Sequence, residues 1–284
     1  MPQHPDSRLS YCGQQLRRYD HDRYLTCLFA PERAREDLFA LYAFNLEVAK
    51  VAEVVNEPMA GQIRIQWWRE ALDGLFSGRP RKHQVAEAVS VAIERHDLSR
   101  APFERLLDAR ERDLDEAPPP TLEALEAYAE DTSASLVALA LETLDARDET
   151  SRTAGRHVGI AWALVGLARA VPFHAAQRRM MLPGNVAWES GLDLHDLFEL
   201  RQPKEIRPVV EAVATRAREH LEAADALRPN VGRHTVPALL PATLARQYLK
   251  VLQQHGYNPF EPRVQMALPG RPLRLLWAAT TGRY

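Results

Sequence analysis

The sequence predicts an all-α protein, and three observations carry that expectation. Apolar residues recur at spacings of three and four over long stretches, which marks one face of a helix. No stretch shows the sustained alternation with a period of two that a half-buried strand needs. Glycine is scarce, at 13 of 284 residues, and alanine and leucine dominate the runs between prolines, a composition that favours helix.

In chain order, residues 1–20 are expected to form a flexible polar start. Asp20, His21 and Asp22 superficially resemble a ligand cluster, and a solvated helix start explains them equally well. Pro31 suits the first turn of a helix whose apolar stripe runs through Leu38, Leu41, Tyr42, Asn45, Val48, Ala49, Ala52 and Val55 to an end near Pro58. A second helix is predicted from Gln62 to Phe76, with Gly78 as its C-terminal cap and the pair Trp67 and Trp68 divided between core and surface. A third covers Gln84 to Arg95, and Ser99 caps a fourth that reaches Leu114.

Pro118-Pro119-Pro120 makes a stiff connector too short to separate domains, and Thr121 caps a long helix through Leu144. The run from Ala154 to Val171, rich in Gly, Ala, Leu and Val, predicts a helix buried on most sides and ended by Pro172. A loop at Leu182-Pro183-Gly184, a short helix from Asp193 to Leu200, and helices over Val209 to Leu227, Pro237 to Gln254 and Pro272 to Thr280 complete the chain. Long helices with short connectors predict one domain over residues 1–284, packed around a central space.

The totals narrow the function classes. The hydrophobic share of 46% and charged share of 26% are those of a globular protein. A formal net charge of -2 provides no global field for nucleic acid, so no nucleic-acid partner is expected. Two cysteines, Cys12 and Cys27, are too few for a disulfide framework, and a reducing, cytoplasmic-type compartment is the default. No run approaches the ~20 apolar residues needed to span a bilayer, so any membrane contact is expected to be peripheral. Gly-rich phosphate loops, GxSxG elbows and HExxH motifs are absent.

An ordered series of short stretches carries more. Pro31 through Arg35, Ala40-Leu41-Tyr42-Ala43-Phe44, Trp67-Trp68-Arg69-Glu70-Ala71-Leu72, Asp113-Leu114, Tyr128, Gly159-Ile160-Ala161, Arg169 and Arg178-Arg179 before Leu182-Pro183 together resemble the squalene/phytoene synthase family. The resemblance implies an isoprenoid (terpenoid) synthase-like helical bundle around a deep apolar cavity. In active members two aspartate-rich motifs face each other across that cavity and hold Mg²⁺ on the substrate diphosphate. The chemistry needs them, because Mg²⁺ takes hard oxygen ligands and an allylic diphosphate ionises only when its leaving charge is stabilised.

By that resemblance, the first motif should place acids at Ala49, Lys50 and Glu53, and only the last is acidic. The second should place them at Ala170, Phe173 and His174, and none is acidic; family amides upstream read Ala163 and Gly166. No catalytic residue, no metal site and no cofactor is therefore expected. Arg35 and Tyr42 match family positions lining the diphosphate end of the pocket, and Asn45, on the apolar stripe of its helix, and Arg169, in an otherwise apolar helix, are the further candidate pocket residues. A bland reading stands beside each: Arg35 pairing with Glu32, Tyr42 packed in the core, Asn45 as a satisfied core amide. Arg169 is expected inside, where it needs a partner or an anion. A lone His174 is more often structural than a zinc ligand, and Glu47, Glu53 and Glu57 do not share one helix face.

A smaller branch shares these departures. Ala43-Phe44-Asn45, Asp108 through Asp115, Tyr128-Ala129-Glu130 and Arg169 through His174 resemble the complex I assembly-factor branch of the family. That likeness implies a bacterial-type pseudo-synthase that assembles or stabilises NADH:ubiquinone oxidoreductase through its subunits or intermediates, holding a lipid or prenyl ligand, peripheral on the inner membrane. The alternative is an active prenyl transferase condensing farnesyl or geranylgeranyl diphosphate, with Mg²⁺ held by unorthodox ligands such as Asp20, Asp22 or Glu53. A lipid-binding module without an assembly role is the third reading.

Overall fold

The computed structural model describes residues 9–55, 57–115 and 117–284, and no strand occurs among them. The helical expectation holds along the chain, and the departures from it fall where tertiary packing overrides local pattern.

The chain opens with two short helices, α1 (Tyr11–Tyr19) and α2 (His21–Cys27). This corrects the expected flexible start: the side chain of Ser10 caps α1, that of Asp20 caps α2, and Cys12, Leu16 and Cys27 are buried. Residues 1–8 lie outside the described residues.

α3 (Glu32–Ala49) is the innermost part of the first half, with Leu38 through Asn45 all buried. It rests on α1, α6 (Gln84–His96) and α9 (Ser135–Thr143). Phe44 meets Trp68 edge-on at 5.2 Å and Phe103 at 5.4 Å, tying α3 to α5 (Pro58–Phe76) and α7 (Arg100–Arg112). Burying a side chain of that size contributes about 2–3 kcal/mol. Of the adjacent tryptophans Trp68 lies in the core as expected, while Trp67 is half-buried, edge-on to Trp68 at 4.9 Å with Arg81 over its ring, rather than a surface residue.

The helix expected to run to Pro58 instead breaks at Lys50, resumes as α4 (Val51–Val54), and turns extended at Val55. Pro58 starts α5 rather than ending its predecessor, and the extended backbone of Glu57 is what a residue before proline adopts. Gly78 follows α5 at φ 70, the left-handed conformation its C-terminal position requires.

The expected run from Thr121 to Leu144 is α8 (Leu122–Ala129), one π-turn at Glu130–Ala134, then α9. α10 (Glu149–Arg169) crosses that turn so closely that a Cβ on Gly159 would lie 2.4 Å from the Ala134 Cα. α10 also packs on α14 (Ile206–Leu227) and α16 (Pro241–Gln254), which makes it the axis of the second half. The amides of Gly184 and Asn185 bond the carbonyls of Pro119 and Pro120 at 2.8 and 3.1 Å, so the proline connector is stitched into the domain.

The path from α10 to α14 runs through α11 (Val171–Ala176), α12 (Gly184–Glu189) and α13 (Leu194–Phe198). α15 (Val236–Leu239) precedes α16, and α17 (Pro262–Gln265) and α18 (Arg271–Thr281) follow it.

Candidate functional site

The motif positions sit at two helix breaks. Ala49 and Lys50 end α3 and Glu53 lies on α4, while Ala170 ends α10 and Phe173 and His174 lie on α11. Lys50 Nζ is 3.6 Å from the centre of the Tyr19 ring, a cation–π contact that turns it toward α1. Phe173 is exposed.

Glu53 and Glu57 line a cleft of about 620 Å³, together with Asp113, Asp115, Arg178 and Arg179. Partial burial raises the pKa of Glu53 against the opposing pull of Arg110, Lys50 and Arg179. His174 stands in the same field: burial, then Arg179, lowers its pKa to about 4, so its imidazole is neutral at pH 7.

What both remnants face is a network of Arg110, Asp113, Tyr128 and Arg179. Arg110 Nη1 donates to Asp113 Oδ2 at 3.0 Å and to Tyr128 Oη at 2.7 Å, and Tyr128 Oη donates to Asp113 Oδ2 at 3.0 Å. Arg179 donates to the Asp113 carbonyl oxygen. Burial works against the charge of Arg110, yet Tyr128, Asp113 and Glu53 hold its pKa above the ordinary value. Burial raises the Tyr128 pKa, so the phenol stays a donor. Two buried polar atoms have no hydrogen-bond partner here, Arg110 Nε within the network and His174 Nδ1 beside it.

A second polar cluster ties α2 to α10, α16 and α18. Asp22 accepts from Tyr248 Oη at 2.7 Å and pairs with Arg271, and Asp20 pairs with Arg23 at 2.8 Å. The Arg23 guanidinium lies 5.5 Å from the Tyr42 ring and 6.0 Å from the Trp162 ring. Arg169 stacks on Tyr248 at 3.6 Å, and its Nε donates to the Val264 carbonyl at 3.0 Å. Burial lowers the pKa of Arg169, and burial raises that of Tyr248 to about 12.

The structure therefore separates the four expected pocket residues. Tyr42 and Arg169 join one chain of contacts through Arg23, Trp162 and Tyr248, and both are largely withdrawn from water. Asn45 is buried on α3. Arg35 stands apart, donating to the carbonyls of Leu28 and Ala30, each at 3.3 Å, rather than to Glu32. Asp20 and Asp22 are not a solvated helix start: each is engaged by an arginine and mostly buried. Glu53 and Glu57 share the cleft, but Glu47 lies toward Tyr11 and Cys12.

The donor set does not fit magnesium. The motif positions supply one carboxylate, Glu53, alongside methyl groups, an ammonium, a phenyl ring and an imidazole; Glu57, Asp113 and Asp115 line the same cleft, but Asp113 is already paired with Arg110, and Arg179 stands beside them. A hard dication requires several oxygen ligands. Among the described residues no three His, Cys, Asp or Glu side chains converge to hold a metal ion.

Comparison with known proteins decides the lineage, because the family model described as squalene/phytoene synthase matches residues 16–271. The chain belongs to the squalene/phytoene synthase family. Within that family it is 35% identical over 280 residues to the rat protein named NADH dehydrogenase (ubiquinone) complex I, assembly factor 6, covering 99% of this chain and 84% of the relative. The human protein of that name is 32% identical over 265 residues, covering 93% and 80%. Phytoene synthase of Rhodobacter capsulatus is more distant, 25% identical over 213 residues, covering 75% and 63%. A solved dehydrosqualene synthase superimposes with a TM-score of 0.83 at 21% identity, covering 96% of this chain and 95% of that one, which establishes the isoprenoid synthase-like fold.

Asp113, Tyr128 and Arg179 are separate family marks along the sequence, and the fold brings them into one network. Arg23, Tyr248 and Arg271 were missed altogether. Tyr248 and Arg271 meet Asp22 across 226 and 249 residues, so no local pattern signals them.

Proposed function

We propose that this chain is a catalytically degenerate squalene/phytoene synthase-like protein that assists the assembly or stability of respiratory complex I, working at the face of the inner membrane with complex I subunits or assembly intermediates. The observation that carries this reading is the likeness to complex I assembly factor 6 over 99% of the chain. The donor set at the motif positions supports it from the chemical side. A family frame that offers ammonium, imidazole and guanidinium groups where diphosphate-bound magnesium would need carboxylates has no ready route to ionising a prenyl diphosphate.

The reading includes a ligand. The cleft beside Asp113 has a volume of about 620 Å³, within the range of small-molecule sites, and its walls carry Glu53, Glu57, Asp115, Arg178 and Arg179. Such walls suit the polar headgroup of a lipid or prenyl compound better than its chain. Native mass spectrometry of the purified protein identifies a hydrophobic ligand that co-purifies.

Deleting the gene and measuring intact NADH:ubiquinone oxidoreductase tests the assembly role. Loss of the assembled complex, restored by the wild-type gene, is expected. Normal amounts of complex in the deletion strain would reject the role.

A further inference from the structure

The C-terminal helix α18 carries its apolar residues on both sides. Leu275 and Ala278 are buried and seat the helix against α16. Leu273, Leu276 and Trp277, spaced at i, i+3 and i+4, point the other way and are 72%, 50% and 55% exposed. Met266, just before the helix, is 64% exposed. Large apolar side chains gathered on one outward face mark a contact surface rather than ordinary scatter.

The segment that carries that face has charges of one sign. From Pro262 to Tyr284 the sequence contains Arg263, Arg271, Arg274 and Arg283 and no Asp or Glu, in a chain whose formal net charge is -2. Arg271 is taken up by Asp22, but Arg263, Arg274 and Arg283 are exposed. Arg233 joins them from outside the segment, donating to the Thr280 carbonyl at the end of α18.

We infer that α18 is a membrane-docking helix that lies in the interface of an anionic lipid bilayer, with Leu273, Leu276 and Trp277 entering the headgroup–acyl boundary and Arg263, Arg274, Arg283 and Arg233 facing lipid phosphates. This deepens the membrane part of the reading above by naming its surface. A short amphipathic helix with Trp and Leu on one side and arginines around it is the form such contacts take. Tryptophan suits the headgroup level, where an amphipathic ring meets both phases. Among the described residues no helix is long and apolar enough to cross a membrane, so the helix docks on the bilayer without spanning it.

The test uses the full chain with vesicles of phosphatidylcholine alone and of phosphatidylcholine mixed with phosphatidylglycerol. Co-sedimentation with the mixed vesicles and not the neutral ones is expected, weakening as salt rises from about 0.1 to about 0.5 M. The double change Leu273→Glu, Trp277→Glu should lower partitioning at least about tenfold, and Arg274→Glu about fivefold. Both alter exposed positions, so thermal melting should match wild type. The milder Leu273→Ser, Trp277→Ser pair repeats the test should the glutamates disturb folding. Equal partitioning of wild type and the pair variants, or no binding to phosphatidylglycerol vesicles, would overturn the inference. So would a concentration-dependent dimer, or retention by a purified protein partner, that the changes abolish without any vesicle binding. Failure here with complex I still lost on gene deletion would leave the assembly role standing, and vesicle binding with normal complex I would do the reverse.

Discussion

The two polar clusters near the C-terminal end of α10 use the same kinds of residue and differ in how completely they are satisfied. Around Asp22, the acid meets Arg271 and Tyr248, Asp20 meets Arg23, and Arg169 has both a carbonyl and an aromatic ring. Around Asp113, Arg110 Nε and His174 Nδ1 are buried with no partner. Buried polar groups are nearly always matched, so a closed network reads as part of the fold. An open one beside a cleft reads as the place where an outside polar group would complete it. The contrast also concerns magnesium: in both clusters the positive charge comes from arginines built into the chain.

The largest effect should come from breaking the closed cluster. Asp22→Ala strands the Arg271 guanidinium and the Tyr248 hydroxyl, both mostly buried, and should cost about 3 kcal/mol in urea denaturation. An effect below about 1 kcal/mol would show that the cluster contributes little and that the contrast is misplaced.

His174 sharpens the comparison through pH. Its pKa is about 4 in the folded chain against an ordinary 6.5, so on acidification the unfolded chain takes up the proton first. Its contribution to stability is therefore complete above about pH 6.5 and is lost as pH falls toward about 4, by up to about 3 kcal/mol. Denaturation midpoints of His174→Gln should fall less steeply than wild type across that window. Parallel curves would mean that the imidazole is not held neutral.

A smaller effect is expected at Tyr128. Tyr128→Phe removes the hydroxyl shared by Arg110 and Asp113 but leaves their ion pair, and should destabilise by about 1 kcal/mol. The same change should alter ligand retention in native mass spectrometry more than Asp22→Ala does, if the open network is the one that meets a ligand.

Much of the fold was legible because the long helices carry their apolar faces in unbroken rhythm, as α3, α6, α7 and α14 do. The two N-terminal helices were not, because α2 is held by polar contacts to Tyr248 and Arg271 more than two hundred residues away. The break at Lys50 was hidden by an apolar stripe that continues past it to Val55. The π-turn at Glu130–Ala134 leaves no mark on a periodicity that is helical on either side. At the site, the missing acids could be read from the family pattern. That Glu53 and His174 face one Arg110–Asp113–Arg179 network could not, since it depends on the approach of α4, α7 and α11.

The proposed loss of synthase chemistry is tested most directly by incubating the purified protein with farnesyl or geranylgeranyl diphosphate and Mg²⁺ and following diphosphate release. No release above the protein-free control is expected, with or without the metal. Magnesium-dependent release at enzymatic rates, abolished by Glu53→Gln, would contradict it and restore the prenyl transferase.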